Sequence, residues 1–142
     1  MSPAASEFDS FNVALIVADD ALRSAMRMLL SVSGLSVTEY RTVTEYLVSP
    51  VNTRHCLVMD CQFPDMSRRR LSEEILKLDK SMPIVVVTAY PEDFDCVRAL
   101  RGNMHIVPKP FAGNHLVDTV THAARAAFSA EHLEGDLQST GS

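Results

Sequence analysis

Several side chains with the chemistry for phosphate or metal binding follow short apolar segments of this sequence. An acidic pair follows the first such segment, and a carboxylate, a hydroxyl and an ammonium follow three later ones: Asp19 and Asp20, Asp60, Thr88, and Lys109. Three carboxylates in one crevice repel one another unless a cation lies among them, and oxygen ligands suit a hard ion such as Mg²⁺. A hydroxyl and an ammonium would complete a cradle for a transferring phosphoryl group.

The apolar segments that precede these residues predict strands. Runs of apolar residues without polar alternation are typical of strands buried on both faces of a parallel sheet. One further segment alternates and predicts a half-exposed edge strand. In chain order the predicted strands are Val13–Ala18, the alternating Leu35–Tyr40, Cys56–Met59 followed at once by Asp60, Ile84–Thr88 and Met104–Val107.

Helices are predicted between the strands. Apolar residues recur at helical spacing from Leu22 to about Ser33, with Gly34 as the C-terminal cap. The other predicted helices are a short one capped by Thr42 and running to about Val48, one after the loop 62–70 with Leu71, Ile75 and Leu78 on one face, one from Glu92 to Arg101, and a last one capped by Asn114 and running to about Ala130.

Alternation of strands and helices predicts an α/β fold with right-handed crossovers. We expect a flavodoxin-like (βα)5 three-layer sandwich, whose parallel five-stranded sheet has the strand order 2-1-3-4-5. In that order the ends of the first and third strands meet at the topological switch point. Asp19, Asp20 and Asp60 are therefore expected to converge there, with Thr88 and Lys109 facing the same crevice.

Length and composition limit the classes of protein to consider. The 142 residues predict one folded domain over 11–130, with a flexible arm at 1–10 and a flexible tail at 131–142. A net charge of -5 argues against direct nucleic-acid binding. No apolar run is long enough for a membrane span, and the first residues do not resemble a signal peptide, so we expect a cytoplasmic protein. Three cysteines without metal-like spacing fit that location.

The spaced residues resemble one family. Asp19-Asp20, Asp60 with Pro64, Thr88-Ala89 and Lys109-Pro110-Phe111, in this order, resemble the receiver domain of two-component response regulators, and most closely receivers joined to helix-turn-helix transcription factors. The resemblance covers about residues 11–127.

The resemblance implies a role for each of these residues. Asp60 would accept a phosphoryl group from the phosphohistidine of a sensor kinase, Lys109 would pair with a phosphoryl oxygen, and Thr88 would move to bond the phosphoaspartate. Asp19 and Asp20 would hold Mg²⁺, whereas the residues by themselves allow the ion to be held by Asp19 or Asp20 together with Asp60 and a loop carbonyl near Gln62. A cis peptide between Lys109 and Pro110 is also implied. Such a protein is no general enzyme, since it catalyses only its own phosphorylation and dephosphorylation.

The resemblance further implies partners. These are a sensor histidine kinase or histidine phosphotransfer protein, and a second copy of the chain bound through the face of the fourth helix, fifth strand and fifth helix. Neither nucleic acid nor a membrane is expected as a direct partner.

Two departures from the family pattern support an alternative function. The aromatic residue expected three positions before the lysine is Ile106, and the glycine expected eight positions after the phosphoacceptor is Arg68. The alternative is a receiver-like interaction module with weak or no phosphorylation-driven switching. A phosphohydrolase that works through an aspartyl-phosphate would need a second acid two residues after Asp60, where the sequence has Gln62.

Each site residue also has a plain structural interpretation. The acidic pair could cap a helix, Thr88 could simply end a strand, and the three arginines from Arg68 to Arg70 could form a solvated surface. Cys61, beside Asp60, is expected to be a small buried hydrophobe and not a reactive thiol.

Overall fold

Five parallel strands form the centre of the molecule. The computed structural model describes residues 11–49 and 55–140. The strands pair in the order β2-β1-β3-β4-β5 and run parallel throughout, which confirms the predicted fold class. Their bounds are β1 Asn12–Ile16, β2 Ser36–Tyr40, β3 Cys56–Asp60, β4 Ile84–Thr88 and β5 Met104–Pro108.

Helices connect the strands and cover the sheet. They are α1 Asp20–Val32, α2 Val43–Leu47, α3 Arg68–Lys77, α4 Asp95–Arg101, which directly follows a 3-10 turn at Pro91–Phe94, and α5 Gly113–Thr140. The first three begin with a side-chain cap, because Asp19, Thr42 and Ser67 each accept a hydrogen bond from the backbone N–H three residues later. Gly34, with φ 96°, closes α1 as predicted.

Two separate cores lie on the two faces of the sheet. Leu30 of α1 and Leu116 and Val120 of α5 pack on one face. Leu71 and Ile75 of α3 pack on the other face. Every residue of β3 and β4 is buried, because these strands are covered on both sides. The parallel pairing of β3, β4 and β5 places their carboxyl ends at the same edge of the sheet.

Several predicted helix boundaries differ from the structure. Helix α3 starts at Arg68 and not after Arg70, because Ser67 caps it. Helix α5 starts at Gly113, since the N–H groups of residues 115 and 116 donate to the carbonyl of Ala112, so Asn114 is not its cap.

The secondary structure near the end of the chain also differs from the prediction. Helix α5 continues to Thr140 instead of stopping near Ala130, and no proline interrupts it. Flexibility of 131–142 stays a prediction, and the predicted arm at 1–10 lies outside the described residues.

Candidate functional site

Asp60 is the centre of the site. It is the last residue of β3 and only 2% exposed. The Nζ atom of Lys109 lies 2.6 Å from its Oδ2 atom, and the backbone N–H of Gln62 donates to its Oδ1 atom over 2.9 Å. A buried carboxylate needs such compensation for the hydration it has lost. The pairing of Asp60 with Lys109 agrees with the sequence expectation that the two face one crevice.

The Oδ2 atom of Asp60 retains unused acceptor capacity. Its charge contact is with the Lys109 ammonium, and no described group donates a hydrogen bond to this buried oxygen. A buried carboxylate oxygen with one charge contact can accept a further cation or donor. The site can therefore take an additional positive ligand beside Lys109.

Thr88 and Lys109 are placed by the neighbouring strands. Thr88 ends β4 and is 3% exposed, and the backbone N–H of Lys109 donates to the Thr88 carbonyl over 2.8 Å. The Lys109–Pro110 peptide is cis, as the resemblance implied. The hydroxyl of Thr88 accepts a hydrogen bond from the backbone N–H of Tyr90 over 3.0 Å. The hydroxyl is thus engaged by its own loop.

The two acids that follow β1 have different surroundings. Asp19 caps α1, with its Oδ1 atom accepting from the backbone N–H of Leu22 over 3.0 Å. Asp20 is exposed, and its Oδ1 atom lies 2.6 Å from the Arg23 guanidinium and 3.8 Å from that of Arg41. The hydrogen bond from Arg23, assisted by the charge of Arg41, lowers the pKa of Asp20. The helix-cap interpretation is confirmed for Asp19, and Asp20 forms ion pairs.

A cavity of about 300 Å³ connects Asp19 to Asp60. Its described lining residues are Ala18, Asp19, Leu22, Asp60, Gln62 and Pro64. Within residues 11–49 and 55–140, no group of three or more His, Cys, Asp and Glu side chains is arranged to hold a metal ion. The structure therefore brings Asp19, Asp60 and Gln62 together, but it does not bring Asp20 to them as the sequence predicted.

Strand register sets how far the acidic pair lies from the level of Asp60. Ile16 pairs with Met59, so continuing the register places Val17 level with Asp60. Val17 is 1% exposed and belongs to the core. Asp19 comes two residues later, at the start of α1. The acids therefore lie beyond the position that is level with Asp60.

A second cavity, of about 550 Å³, also borders the site. Thr88, Gln62 and Arg68 are among its lining residues. The Arg68 guanidinium stacks 4.0 Å from the centre of the Tyr90 ring, and its Nε atom lies 2.8 Å from the Asp93 carboxylate. We name this arrangement, Arg68 with Tyr90 and Asp93, the Arg68 clamp. Sequence reasoning missed it, although the unusual arginine at the start of α3 was a signal.

Cys61 is a buried residue, as the sequence predicts. It is 5% exposed and packs in the core beneath α3. Burial, assisted by the charge of Asp60, raises the pKa of its thiol well above the ordinary value. The thiol is therefore protonated at neutral pH and is a poor nucleophile, as expected for a small hydrophobe.

A parallel sheet in 2-1-3-4-5 order, with a buried Asp, a Thr and a Lys at successive strand ends, defines a receiver-type α/β domain. A family model described as "Response regulator receiver domain" matches residues 14–121. The chain therefore belongs to the response regulator receiver domain family.

Relatives with assigned names agree with this membership. The C4-dicarboxylate transport transcriptional regulatory protein DctD of Rhizobium meliloti is 31% identical over 114 residues, which are 79% of this chain and 25% of that protein. The transcriptional regulatory protein FixJ of Azorhizobium caulinodans is 31% identical over 105 residues, covering 72% of this chain and 50% of that protein. The chain thus spans a quarter to a half of the length of these relatives.

Solved structures share the fold. The CheY-like receiver domain protein from Methanospirillum hungatei matches with a TM-score of 0.72 and 20% identity, over 84% of this chain and 98% of that one. Full-length FixJ from B. japonicum matches with a TM-score of 0.71 and 21% identity, over 92% of this chain and 65% of that one. No helix among the described residues has both the length and the apolar character needed to cross a membrane.

Proposed function

We propose that this receiver domain is a phosphoacceptor and that Asp60 takes the phosphoryl group. The observation that carries the proposal is the buried Asp60 carboxylate, 2% exposed, with the Lys109 ammonium 2.6 Å from one oxygen. Burial lowers the solvation of the carboxylate, and the ammonium neutralises charge that builds up as a phosphoryl group arrives. Family membership supports the same role.

The donor is a phosphohistidine of a sensor histidine kinase or a histidine phosphotransfer protein. A carboxylate oxygen of Asp60 forms a bond to phosphorus while the bond between phosphorus and the imidazole nitrogen breaks, and that nitrogen then takes up a proton. Lys109 pairs with a phosphoryl oxygen. Thr88 moves so that its hydroxyl, which in this structure accepts a hydrogen bond from the Tyr90 N–H, donates its own hydrogen to a phosphoryl oxygen.

Mg²⁺ is the cofactor that we propose, and the residues around the smaller cavity fit it. Asp19 and Asp60 supply carboxylates, Gln62 lines the same cavity, and the buried Oδ2 atom of Asp60 accepts no hydrogen bond. Mg²⁺ commonly uses one or two carboxylates, retains water and binds phosphate oxygens. When bound, it would neutralise the charge of the phosphoryl group during transfer. Asp20, the remaining predicted ligand, is engaged by arginines.

The phosphorylated state would be passed on through the surface of α4, β5 and α5. A homodimer through this surface is part of the proposal, as are the absence of direct nucleic-acid binding and the cytoplasmic location. The named relatives are transcriptional regulators. Any output domain, and any role in transcription, is a proposal that rests on this likeness.

A specific observation also favours the second function, an interaction module without phosphorylation-driven switching. Ile106 on β5 is half-buried and aliphatic, so it lacks the ring that would swing inward when Thr88 moves. Such a module would keep its surface unchanged when phosphate donors are added.

Acetyl phosphate with Mg²⁺ tests the proposal directly. Intact-mass spectrometry should find one added phosphoryl group on the wild-type protein and none on Asp60→Asn. Asp65→Asn is a matched control, because Asp65 is an exposed acid in the same loop, and it should be modified like wild type. Modification of Asp60→Asn, or no modification of the wild type, would exclude Asp60 as the acceptor. Phosphorylation without any change in amide chemical shifts on α4, β5 and α5 would favour the interaction module.

A further inference from the structure

The Arg68 clamp joins helix α3 to the loop that follows β4. Arg68 is the first residue of α3, which Ser67 caps, so its backbone is fixed by the helix. Its guanidinium lies 4.0 Å from the centre of the Tyr90 ring, and its Nε atom lies 2.8 Å from the Asp93 carboxylate. The backbone N–H of Asp93 donates to the carbonyl of Tyr90 over 3.1 Å. Both partners of Arg68 therefore belong to one turn, and the guanidinium holds that turn by two contacts.

The same turn holds the hydroxyl of Thr88. The backbone N–H of Tyr90 donates to this hydroxyl over 3.0 Å. The backbone of Thr88 is fixed separately, because Thr88 ends β4 and its carbonyl accepts a hydrogen bond from the N–H of Lys109 over 2.8 Å. Displacing the hydroxyl therefore either breaks its hydrogen bond with Tyr90 or carries Tyr90 along.

Arg68 opposes the second of these two routes. Carrying Tyr90 along would pull its ring away from the guanidinium, which Asp93 and the start of α3 keep in place. A guanidinium on an aromatic ring and an ion pair between partly exposed side chains each contribute modestly to stability. Together they restrain the turn and still allow it to move.

Arg68 and Thr88 line the same cavity, of about 550 Å³. A guanidinium in such a place could instead bind a phosphoryl oxygen directly. Its contacts, however, are with the turn after β4, and its ion pair is with Asp93 and not with Asp60. These contacts favour a residue that positions Thr88 over a residue that binds phosphate.

We infer that Arg68 is a positioning residue for phosphorylation: through Tyr90 it holds the Thr88 hydroxyl in the loop after β4, and it opposes the movement of that hydroxyl toward a phosphoryl group on Asp60. This inference rests on the proposed function and adds a residue to it. A contact that stabilises the unphosphorylated arrangement lowers the apparent affinity for the group that requires the other arrangement. The clamp therefore sets how readily the receiver switches.

Amide hydrogen exchange of the unphosphorylated protein, measured by NMR, tests whether Arg68 holds the turn. Arg68→Ala should raise the exchange rate of the Tyr90 amide about threefold to tenfold, since a cation–π contact and an ion pair are lost. The Leu22 amide is the internal control, because it also donates to a side-chain oxygen over 3.0 Å but lies outside the clamp. Its exchange rate should change by less than about twofold.

Arg69→Ala is the matched variant. Arg69 is the next residue of α3, its side chain is 92% exposed, and its ion pair is with Glu73 at 3.8 Å. This change shortens an arginine at the same helix start without touching the clamp, so the exchange rate of the Tyr90 amide should remain that of the wild type.

Binding of the phosphoryl analogue beryllofluoride in the presence of Mg²⁺ tests whether the clamp opposes switching. Arg68→Ala should bind the analogue about threefold to tenfold more tightly than the wild type, and Arg69→Ala should bind it equally. Tyr90→Leu removes the ring and keeps the backbone N–H. When Tyr90→Leu is already present, Arg68→Ala should change the affinity by less than about twofold, because the ring links Arg68 to Thr88.

The inference is overturned if Arg68→Ala leaves the exchange rate of the Tyr90 amide unchanged, or if the Leu22 amide responds equally, which would indicate a general loss of stability. It is also overturned if Arg68→Ala does not tighten beryllofluoride binding, and weaker binding would make Arg68 a direct ligand of the phosphoryl group.

Failure of the proposed function would give a different result. The wild type would bind no beryllofluoride and take up no phosphoryl group, while the exchange rate of the Tyr90 amide still responded to Arg68→Ala. That combination would remove the phosphoacceptor role of Asp60 and leave Arg68 as the residue that positions Thr88.

Discussion

Replacing Lys109 should destabilise the protein far more than replacing an exposed lysine. Lys109→Met removes the ammonium that lies 2.6 Å from a carboxylate only 2% exposed, and it leaves Asp60 with the single hydrogen bond from Gln62. Breaking a buried pair by removing one partner typically costs 3–5 kcal/mol. The Lys109 side chain is 21% exposed, so water can partly solvate Asp60 once the ammonium is removed. We therefore expect the free energy of unfolding to fall by an amount at the low end of this range, about 3 kcal/mol. For a domain of this size the melting temperature should fall by roughly 10 °C.

Urea unfolding, monitored by circular dichroism, measures this loss of stability. A double-mutant cycle shows whether the loss comes from the contact between Lys109 and Asp60. With Asp60→Asn also in place no buried charge remains, so Lys109→Met should then cost less than about 1 kcal/mol. Lys77→Met is the surface control, because Lys77 is 70% exposed and pairs with Glu74 over 3.3 Å, a contact worth under about 1 kcal/mol. The reasoning fails if Lys109→Met is as mild as Lys77→Met, or if it is equally damaging with and without the Asp60 charge.

Three further predictions follow from contacts around the site. Thr88→Val removes the acceptor of the Tyr90 N–H and should cost about 1 kcal/mol in urea unfolding, while Thr88→Ser should restore it; equal stability of the two variants would refute the role of the hydroxyl. The lowered pKa of Asp20 means that its ion pair with Arg23 stabilises the protein above the ordinary value of 3.8 and that this contribution is lost as the pH falls through the lowered pKa. Asp20→Asn should therefore flatten the acid side of the stability profile measured by urea unfolding, and an unchanged profile would contradict the ion pair. Arg68→Ala ends the stacking on Tyr90 and should cost about 0.5–1 kcal/mol, whereas the same change made with Tyr90→Leu already present should cost less.

The fold and the centre of the site could be predicted from the sequence because both depend on local pattern. Apolar runs predicted the strands, and polar residues directly after parallel strands must lie at the same edge of the sheet. Asp60 and Thr88 end β3 and β4, and Lys109 follows β5, so their meeting required only the correct strand order.

The positions of the acidic pair and the Arg68 clamp could not be predicted in this way. The orientation of the Asp20 side chain is set by its ion pairs with Arg23, one helical turn away, and with Arg41, which follows β2. A sequence pattern does not show which of several rotamers an exposed acid adopts. The displacement of the pair from the level of Asp60 depends on the register between β1 and β3. The clamp depends on two loops meeting, since Arg68 starts α3 and its partners follow β4.

The close contact between Lys109 and Asp60 has an electrostatic explanation. Asp60 is buried beside Val17, and Asp19, at the helix start, is exposed to water, so little negative charge competes with Asp60 for its ammonium. Lys109 can therefore approach the carboxylate closely, and its Nζ atom lies 2.6 Å from the Oδ2 atom of Asp60. An acid introduced at residue 18, on the wall of the same cavity, would add negative charge near Asp60 and would compete with it for the ammonium.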